Sequence, residues 1–389
     1  MESDSGIEMV LRIDIVILSD ADFYPPTINA ANILAEKGHK VRLIDIRYPS
    51  VKRQQLNPAV TRIHYGRHRR KLGNILQYFS FYAWYMWLLR KDKPDWIIAY
   101  DAMAVGPVSM AAGLHKIKWL YHNHDLLTNA SGWYKFIQWT DVKLARKARV
   151  VCFPQEDRAA GFMQSAKLKT FPVIVYNGPR KNWSATQLPI HWQLRDWHAA
   201  GNFIILYQGQ FSKYFNLEVL LQAMPLLPAN FVLCIIGRPL EPDIIAKYQQ
   251  QIEDNNLQHR VRMPEPLTYD EIPSITAYAH LGVAKLGMDS SIPLNDFFLT
   301  GASNKISEYL AFGLPILMAD TEVNRNFYTK YGFAVFADGT RPDSVAAAIK
   351  AAAIAGTYEQ LRNCARKAGS DVFNYDTQFN KIVSIVEES

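Results

Sequence analysis

Short apolar runs alternate with amphipathic stretches along the chain, which is the pattern of a parallel α/β protein. Residues 11–18 (LRIDIVIL) form an apolar, β-branched run that predicts a buried strand. Residues 28–38 place apolar side chains on one helical face and end at Gly38, which predicts a helix with its stop signal. The run 41–46 (VRLIDI) predicts the next strand. A strand, a helix and a second strand in this order predict a parallel pair with a right-handed crossover.

The same alternation continues through the rest of the first half and begins again at Phe203. We predict further strands and helices in the first half at 95–101, 104–114, 119–123 and 149–154. In the second half we predict strands at 203–209, 231–237, 280–286 and 315–320, and helices at 217–227 and 303–312. The polar, turn-forming stretch 177–189 lies at the junction of the halves.

This order of elements predicts an α/β fold of two Rossmann-like domains whose parallel sheets face each other across a cleft. The expected boundaries are residues 1–180 for an N-terminal domain, 181–201 for a linker and 202–389 for a C-terminal domain. We expect the last helix to pack back on the N-terminal domain. In such folds the ligand lies at the carboxyl ends of the strands.

Composition places the chain among globular proteins and excludes several classes. Of 389 residues, 49% are hydrophobic and 20% charged, and a net charge of +7 is too small by itself to indicate nucleic-acid binding. Cys152, Cys234 and Cys364 lie far apart, so we expect neither a metal cluster nor a disulfide framework. The N-terminus has no basic segment ahead of an apolar core, which argues against an export signal. We expect a cytoplasmic protein.

The loop after the first strand does not have the glycine motif of a dinucleotide site. It reads SDADFYPP, and neither G-x-G-x-x-G nor a P-loop sequence occurs there. Asp20 and Asp22 could together hold a divalent cation, although short acidic loops at this position commonly occur without metal. We therefore expect no metal and no cofactor.

The richest segment for chemistry is 286–318, where a long loop leads into a helix. Loops of this length inside a compact domain are usually functional. The small residues 300–303 precede a helix that should begin near Asn304, and its free N–H groups would attract phosphate. Lys305 adds a cation in the first turn, and Glu308 one turn further can offer two oxygens to a ribose diol.

This segment resembles the donor site of the retaining glycosyltransferases of family 4, which have the two-Rossmann-domain, B-type glycosyltransferase fold. The shared residues are the Asn304-Lys305 pair, the sequence Glu-Tyr-Leu-Ala at 308–311, and Gly-Leu-Pro at 313–315. The resemblance implies that Glu308 binds the donor. Where many members have a first acidic residue, this chain has Thr300.

Weaker resemblances extend along most of the chain. His124-Asp125 is similar to the family's HD element, which implies that His124 approaches the donor sugar. In the first loop of the C-terminal domain, Gln210 replaces the family's arginine, and Lys213 follows three residues later. The resemblance implies Lys213 as a catalytic residue beside His124 and Glu308. It implies donor binding by Gln210, Arg238, Ser303, Asn304 and Lys305.

Basic residues are concentrated at 52–93, where ten Lys or Arg side chains accompany one acid, Asp92. Seven aromatic residues occupy the ten positions 78–87. A helix covering the first sheet accounts for part of this pattern, and basic flanks with Trp and Tyr also suit an anionic bilayer surface. The expected membrane or acceptor patch consists of Arg67, Arg69, Arg70, Lys71, Trp84 and Trp87. We expect peripheral contact with the inner face of the membrane.

The resemblance implies a retaining glycosyltransferase that moves a sugar from a nucleotide-diphosphate donor to a sugar or lipid-linked acceptor, in polysaccharide or glycolipid assembly. Two alternatives stay open. A non-hydrolysing sugar-nucleotide epimerase would convert the donor without an acceptor, and a non-catalytic partner subunit would bind the donor without transfer. Nucleic acid is not an expected partner, because the basic segment contains no recognisable binding module.

Overall fold

The computed structural model describes residues 9–48, 53–67, 74–127, 130–185, 188–287 and 300–388. The chain divides into two compact units. Unit 1 comprises the chain up to Tyr176 together with the C-terminal segment from Tyr375, and unit 2 comprises Asn177–Asn374.

In the described residues of unit 1, seven parallel strands form one sheet in the order β3-β2-β1-β4-β5-β6-β7. The strands are β1 (Arg12–Ile17), β2 (Lys40–Arg47), β3 (Thr61–Arg67), β4 (Trp96–Tyr100), β5 (Lys118–His122), β6 (Val150–Phe153) and β7 (Val173–Ile174). The helices before the second unit are α1 (Pro25–Glu36), α2 (Asn74–Lys91), α3 (Asp101–His115), α4 (Tyr134–Leu144) and α5 (Glu156–Ala166).

Two details of unit 1 differ from the sequence-based expectation. Helix α1 begins at Pro25 rather than Ile28, because proline is well suited to the first turn, where no N–H donor is needed. Strand β3 was not predicted. Ile63 and Tyr65 pack against the core beneath α2, whereas Arg62 and His64 turn to the other face.

Among the described residues of unit 2, six parallel strands form a second sheet in the order β10-β9-β8-β11-β12-β13. These strands are β8 (Phe203–Gln208), β9 (Phe231–Ile236), β10 (Val261–Arg262), β11 (Leu281–Val283), β12 (Ile316–Ala319) and β13 (Ala334–Ala337). Its helices are α6 (Arg195–Ala199), α7 (Leu217–Ala223), α8 (Ile244–Asp254), α9 (Pro273–Thr276), α10 (Asn304–Ala311), α11 (Glu322–Tyr328), α12 (Pro342–Ala352) and α13 (Ala355–Asp371).

The last helix, α14 (Tyr375–Glu387), is part of unit 1. Its residues Tyr375, Phe379 and Ile382 are fully buried in a cluster with Ile13 and Ile15 of β1. The predicted α/β fold with two parallel-sheet, Rossmann-like units is confirmed.

Tyr309 anchors α10 to the sheet of unit 2. Its ring lies so close to β11 that a Cβ atom on Gly282 would be 2.5 Å from Tyr309 Cδ2. The N–H of Gln208 donates to the Tyr309 hydroxyl oxygen at 2.9 Å, and that hydroxyl lies 3.2 Å from the carbonyl oxygens of Leu206 and Val283. The glycine therefore allows one side chain to tie α10 to two strands.

We predict that Gly282→Ala destabilises unit 2 without changing its secondary structure. The added methyl group has to displace a fully buried ring, and overpacking of this kind costs about 1–3 kcal/mol of unfolding free energy. The measurement is the thermal midpoint of the purified chain. The matched control is Gly356→Ala in α13, where a Cβ meets nothing within 4 Å. Equal midpoints for both variants would contradict this account of the packing.

Candidate functional site

The start of α10 is held in place by the turn at Asn177-Gly178. The N–H of Asn177 donates to the carbonyl of Gly301 at 2.9 Å, and its side-chain amide donates to the carbonyl of Ala302 at 3.0 Å. Ser307 in α10 donates to the carbonyl of Asn177 at 2.7 Å. The helix begins at Asn304 as predicted, with Ser303 as its N-cap. Residues 288–299 of the preceding loop lie outside the described part of the chain.

Lys305 points from the first turn of α10 to the end of β8. Its Nζ donates to the Tyr207 hydroxyl at 2.8 Å, and that hydroxyl donates to the carbonyl of Gln210 at 2.6 Å. The same Nζ lies 4.0 Å from the ring centroid of Tyr207 and 5.0 Å from that of Phe215. The ammonium group thus sits against aromatic faces, which attract cations.

Glu308 is 6% exposed, so it is not a solvated acid on the helix surface. Gln208 Nε2 donates to Glu308 Oε2 at 2.6 Å, and Thr276 Oγ1 donates to Gln208 Oε1 at 2.8 Å. Because the Thr276 hydroxyl fixes the orientation of the Gln208 amide, its NH₂ group faces the carboxylate. Sequence reasoning did not identify Gln208, although a polar residue ending an otherwise apolar strand was a usable signal.

Burial shifts the pKa values of Lys305 and Glu308 toward 7. Desolvation raises the pKa of Glu308 to about 7, against the opposing effects of Gln208 and Lys305. Desolvation likewise lowers the pKa of Lys305 to about 7, and Glu308 partly offsets this shift. Perturbed values of this size are frequent at functional sites.

Glycines let the backbone come close on the strand side of the site. Gly209 has a φ of 112°, and a Cβ there would lie 3.2 Å from Lys305 Cε. Gly237, with a φ of 150°, approaches so closely that its Cβ would be 1.7 Å from the Gly209 carbonyl oxygen. The loops after β8 and β9 therefore lie in direct contact, and no larger residue fits between them.

The other expected donor residues lie on these loops or beside them. Gln210 and Arg238 have exposed side chains, and the carbonyl of Arg238 accepts from the Phe211 N–H at 3.1 Å. Lys213 is also exposed, and its Nζ lies 5.1 Å from the ring centroid of Tyr214. The structure thus brings Lys305 and Glu308 together one turn apart, whereas Gln210, Lys213 and Arg238 extend toward solvent.

A cavity of about 220 Å³ lies at the carboxyl ends of β11 and β12. The first turns of α10 and α11 form part of its wall, including Ser303, Lys305 and Thr321. Lys285 and Glu322 line it as well, so this cavity presents two lysines and one glutamate. Glu308 lies outside its lining.

In unit 1, His124 is buried directly after β5. Its imidazole is stacked on Tyr100, with ring centroids 4.9 Å apart, and on Tyr24 at 5.7 Å. The N–H of His124 donates to Asp101 at 2.7 Å, and its Nδ1 lies 3.5 Å from the other Asp101 oxygen. Asp101 adopts a φ of 61°, which is uncommon for a residue with a side chain. Sequence reasoning did not identify Asp101.

Arginine side chains pair with the acidic residues in and near the loop after β1. Arg53 pairs with Asp20 at 2.8 Å and with Asp22 at 2.6 Å. Arg62 pairs with Asp45 at 2.5 Å and also reaches Asp20 and Asp22. Two of the ten basic residues counted at 52–93 are therefore paired with carboxylates of this unit.

The expected membrane or acceptor patch is described only in part. Arg69, Arg70, Lys71 and the side chain of Arg67 lie outside the described residues. Trp84 is half-buried with its ring centroid 5.0 Å from that of Tyr65. Trp87 is 50% exposed, with Lys91 Nζ 3.8 Å from its ring centroid.

Exposed apolar side chains continue from α2 onto α4. The rings of Phe79 and Phe136 lie 6.4 Å apart, which joins the two helices into one surface. We call this surface the apolar patch; it consists of Ile75, Leu76, Phe79, Phe136 and Trp139. Among helices in the described ranges, none is both long enough and apolar enough to cross a membrane.

We predict that Glu308→Gln changes the pH dependence of stability. The folded state binds the Glu308 proton more tightly than the unfolded chain, so this group lowers the unfolding free energy as the pH rises from 4.5 to about 7. The variant should lose this contribution, and its stability relative to wild type should increase across that range. The measurement is urea unfolding at several pH values.

The matched control for this prediction is Glu359→Gln, an exposed acid of α13. Its stability relative to wild type should stay nearly constant from pH 4.5 to about 7. If Glu308→Gln follows the control, the carboxyl of Glu308 is ionised in the folded state as it is in water.

Two glycosyltransferase family models match the chain. Residues 195–369 match "Glycosyl transferases group 1", and residues 27–178 match "Glycosyltransferase Family 4". No curated protein matches the sequence.

Solved structures are similar over nearly the whole chain. The Anabaena protein HepE in complex with UDP is 16% identical, with a TM-score of 0.71 over 98% of this chain and 100% of that one. A glycosyltransferase from Rickettsia africae is 13% identical, with a TM-score of 0.74 over 97% and 98%. A putative UDP-N-acetylglucosamine 2-epimerase from Listeria monocytogenes is 12% identical, with a TM-score of 0.64 over 98% of both chains. The two parallel sheets, the similar solved structures and the two family matches together show that this chain has the B-type glycosyltransferase fold and resembles the glycosyltransferases of family 4 and group 1.

Proposed function

We propose that the protein transfers a glycosyl group, with retention, from a nucleoside-diphosphate sugar bound to unit 2 onto an acceptor hydroxyl. The observation that carries this proposal is the placement of Lys305 and Glu308 one turn apart on α10, beside the glycine loops after β8 and β9. A cation at a helix N-terminus suits a diphosphate, and a buried carboxylate suits a diol.

The chain's own groups stabilise the leaving diphosphate. In the transfer, the bond between the anomeric carbon and the phosphate oxygen breaks, and its electron pair stays on the diphosphate. The acceptor oxygen forms the new bond, and its proton passes to the leaving phosphate. Lys305 and the amides at the start of α10 stabilise the charge that develops, without a metal ion. Ser303 and Asn304 belong to this donor site.

Glu308 binds the ribose in this proposal. Oε2 already accepts the Gln208 amide, so Oε1 is the oxygen offered to the diol. Lys213, Gln210 and Arg238 extend from exposed loops and can reach the outer part of the diphosphate. The acceptor is a sugar or a lipid-linked sugar of polysaccharide or glycolipid assembly.

An epimerase is the second candidate, because the putative UDP-N-acetylglucosamine 2-epimerase from Listeria has a similar fold. An epimerase would change a nucleotide sugar without an acceptor. Incubation of the protein with the donor alone, followed by NMR of the sugar, separates the two reactions. Formation of an epimer of the donor sugar without an acceptor favours epimerisation.

Peripheral membrane contact on the cytoplasmic side is part of the proposal. The apolar patch on α2 and α4 provides side chains that can enter the headgroup region, and Trp87 with Lys91 lies further along α2. The basic residues at 67–71 supply attraction to anionic lipid.

We predict that UDP raises the thermal midpoint of the wild-type chain in the presence of EDTA, because a ligand that binds only the folded state stabilises it. Glu308→Ala should weaken UDP binding about 10-fold to 100-fold, since one charge-assisted hydrogen bond contributes about 1.5–3 kcal/mol. Isothermal titration measures the affinity.

The control is Glu359→Ala, which removes an exposed acid and should leave the affinity unchanged. Wild-type affinity in Glu308→Ala would exclude Glu308 from the donor site. Binding that is abolished by EDTA and restored by Mg²⁺ would contradict the metal-free proposal.

We predict salt-sensitive sedimentation with anionic vesicles. Replacing Arg67, Arg69, Arg70 and Lys71 by Ser should release the protein, because each basic side chain near such a surface contributes about 1 kcal/mol. The control replaces four exposed lysines of unit 2: Lys247, Lys330, Lys350 and Lys367. Equal sedimentation with neutral and anionic vesicles, or equal loss in both variants, would refute electrostatic attachment through 67–71.

A further inference from the structure

Unit 1 has a cavity of about 300 Å³ at the point where its strand order reverses. The order runs outward from β1 to β3 on one side and from β4 to β7 on the other. Ser19 after β1, Tyr48 after β2 and Asp101 after β4 line the cavity. Cavities at such a switch point are the usual ligand sites of open parallel sheets.

Aromatic rings with hydroxyl groups dominate the wall of this cavity. Such rings offer a flat apolar face together with a polar edge. Tyr78 and Tyr100 are buried, and Tyr134 is 38% exposed at the rim. The five tyrosines of the lining are Tyr24, Tyr48, Tyr78, Tyr100 and Tyr134.

Packing behind the wall holds these rings in position. Tyr24 and Tyr100 are each stacked on the His124 imidazole. Tyr78 lies against α3, where a Cβ on Gly106 would be 2.1 Å from its hydroxyl oxygen, and its ring contacts Trp133 at 5.3 Å. The wall is therefore preformed, which reduces the ordering cost of binding.

The charged side chains of this cavity differ from those of the cavity in unit 2. Among the described residues that line it, Asp101 is the charged side chain, and neither Lys nor Arg contributes. The cavity in unit 2 instead presents Lys285 and Lys305 together with Glu322. A phosphate group would meet a carboxylate here, whereas a hydroxyl group would meet a hydrogen-bond acceptor.

The Asp101 carboxylate can accept a further hydrogen bond. Its left-handed backbone conformation, with a φ of 61°, places the carboxylate beside His124 at the cavity wall. One oxygen accepts the His124 N–H at 2.7 Å, and the side chain is 21% exposed. Because each carboxylate oxygen accepts more than one hydrogen bond, a ligand hydroxyl can still bind.

We propose that this cavity binds one uncharged pyranose unit of the acceptor, with its faces on the tyrosine rings and a hydroxyl donating to Asp101. The volume lies at the lower end of the range for small-molecule pockets, which suits a single ring. This inference rests on the proposed transferase function and specifies the acceptor as a neutral sugar rather than a sugar phosphate.

The test is saturation-transfer NMR of the full chain with methyl glycosides of glucose, galactose, mannose and N-acetylglucosamine. Glucose 6-phosphate is the charged probe, and saturating UDP is present so that it cannot occupy the phosphate site proposed in unit 2. We expect transfer to at least one neutral glycoside and none to glucose 6-phosphate. Absence of transfer to every neutral glycoside, or stronger transfer to glucose 6-phosphate, overturns the proposal.

Two variants locate the binding. Asp101→Asn keeps a residue that tolerates the left-handed conformation but removes the charge, and should weaken the glycoside about tenfold. Tyr134→Ala should weaken it about threefold to tenfold. The matched control, Phe171→Ala, removes a ring of unit 1 that is 50% exposed and outside the lining, and should bind like wild type. Wild-type binding by both cavity variants overturns the assignment.

UDP titration of the same samples separates this inference from the proposed function. Wild type, Asp101→Asn and Tyr134→Ala should bind UDP equally, because UDP is assigned to unit 2. Glycoside binding in a chain that does not bind UDP would support the cavity and contradict the donor site. UDP binding without glycoside binding would do the reverse.

Discussion

The hydroxyl of Tyr309 is the contact on which the site in unit 2 depends. It accepts from the N–H of Gln208 and lies between two strand carbonyls, so the helix that carries it cannot slide or rotate along the sheet. Lys305 and Glu308 are one turn and one residue before it on the same helix. Their positions against Tyr207 and Gln208 therefore follow from a single buried phenol, for which Gly282 provides the space.

The two charged groups of this site have little contact with water, because Lys305 lies against the rings of Tyr207 and Phe215 and Glu308 is buried. Full ionisation of either group in such surroundings is costly, because few water dipoles remain to solvate it. Desolvation accordingly lowers the pKa of Lys305 and raises that of Glu308, each to about 7. An anion beside Lys305 would favour the protonated amine, so donor binding and proton uptake are linked in the proposed mechanism.

Local patterns in the sequence predicted the elements and the start of α10, but contacts between distant residues were beyond them. The apolar runs of β1 and β8, and the glycine and proline after α10, are strong local signals. Strand β3 is an edge strand in which Arg62 and His64 alternate with Ile63 and Tyr65. Nothing in the local sequence indicated that Arg62 pairs with Asp45 of the neighbouring strand. Gln208 and Glu308 are 100 residues apart, and nothing local to either indicates their hydrogen bond.

The position of α14 affects the order in which the two units can fold during synthesis. Unit 2 is one continuous segment, whereas the core of unit 1 includes Tyr375, Phe379 and Ile382 from the far end of the chain. During synthesis the N-terminal strands leave the ribosome first, yet the sheet face that α1 shares with α14 stays partly uncovered until α14 emerges. Contacts that span most of the sequence form slowly, because a long loop must close before they are made. Unit 2 can thus complete its fold before unit 1, which has to wait for α14 and meanwhile exposes part of an apolar sheet face to chaperones and to aggregation.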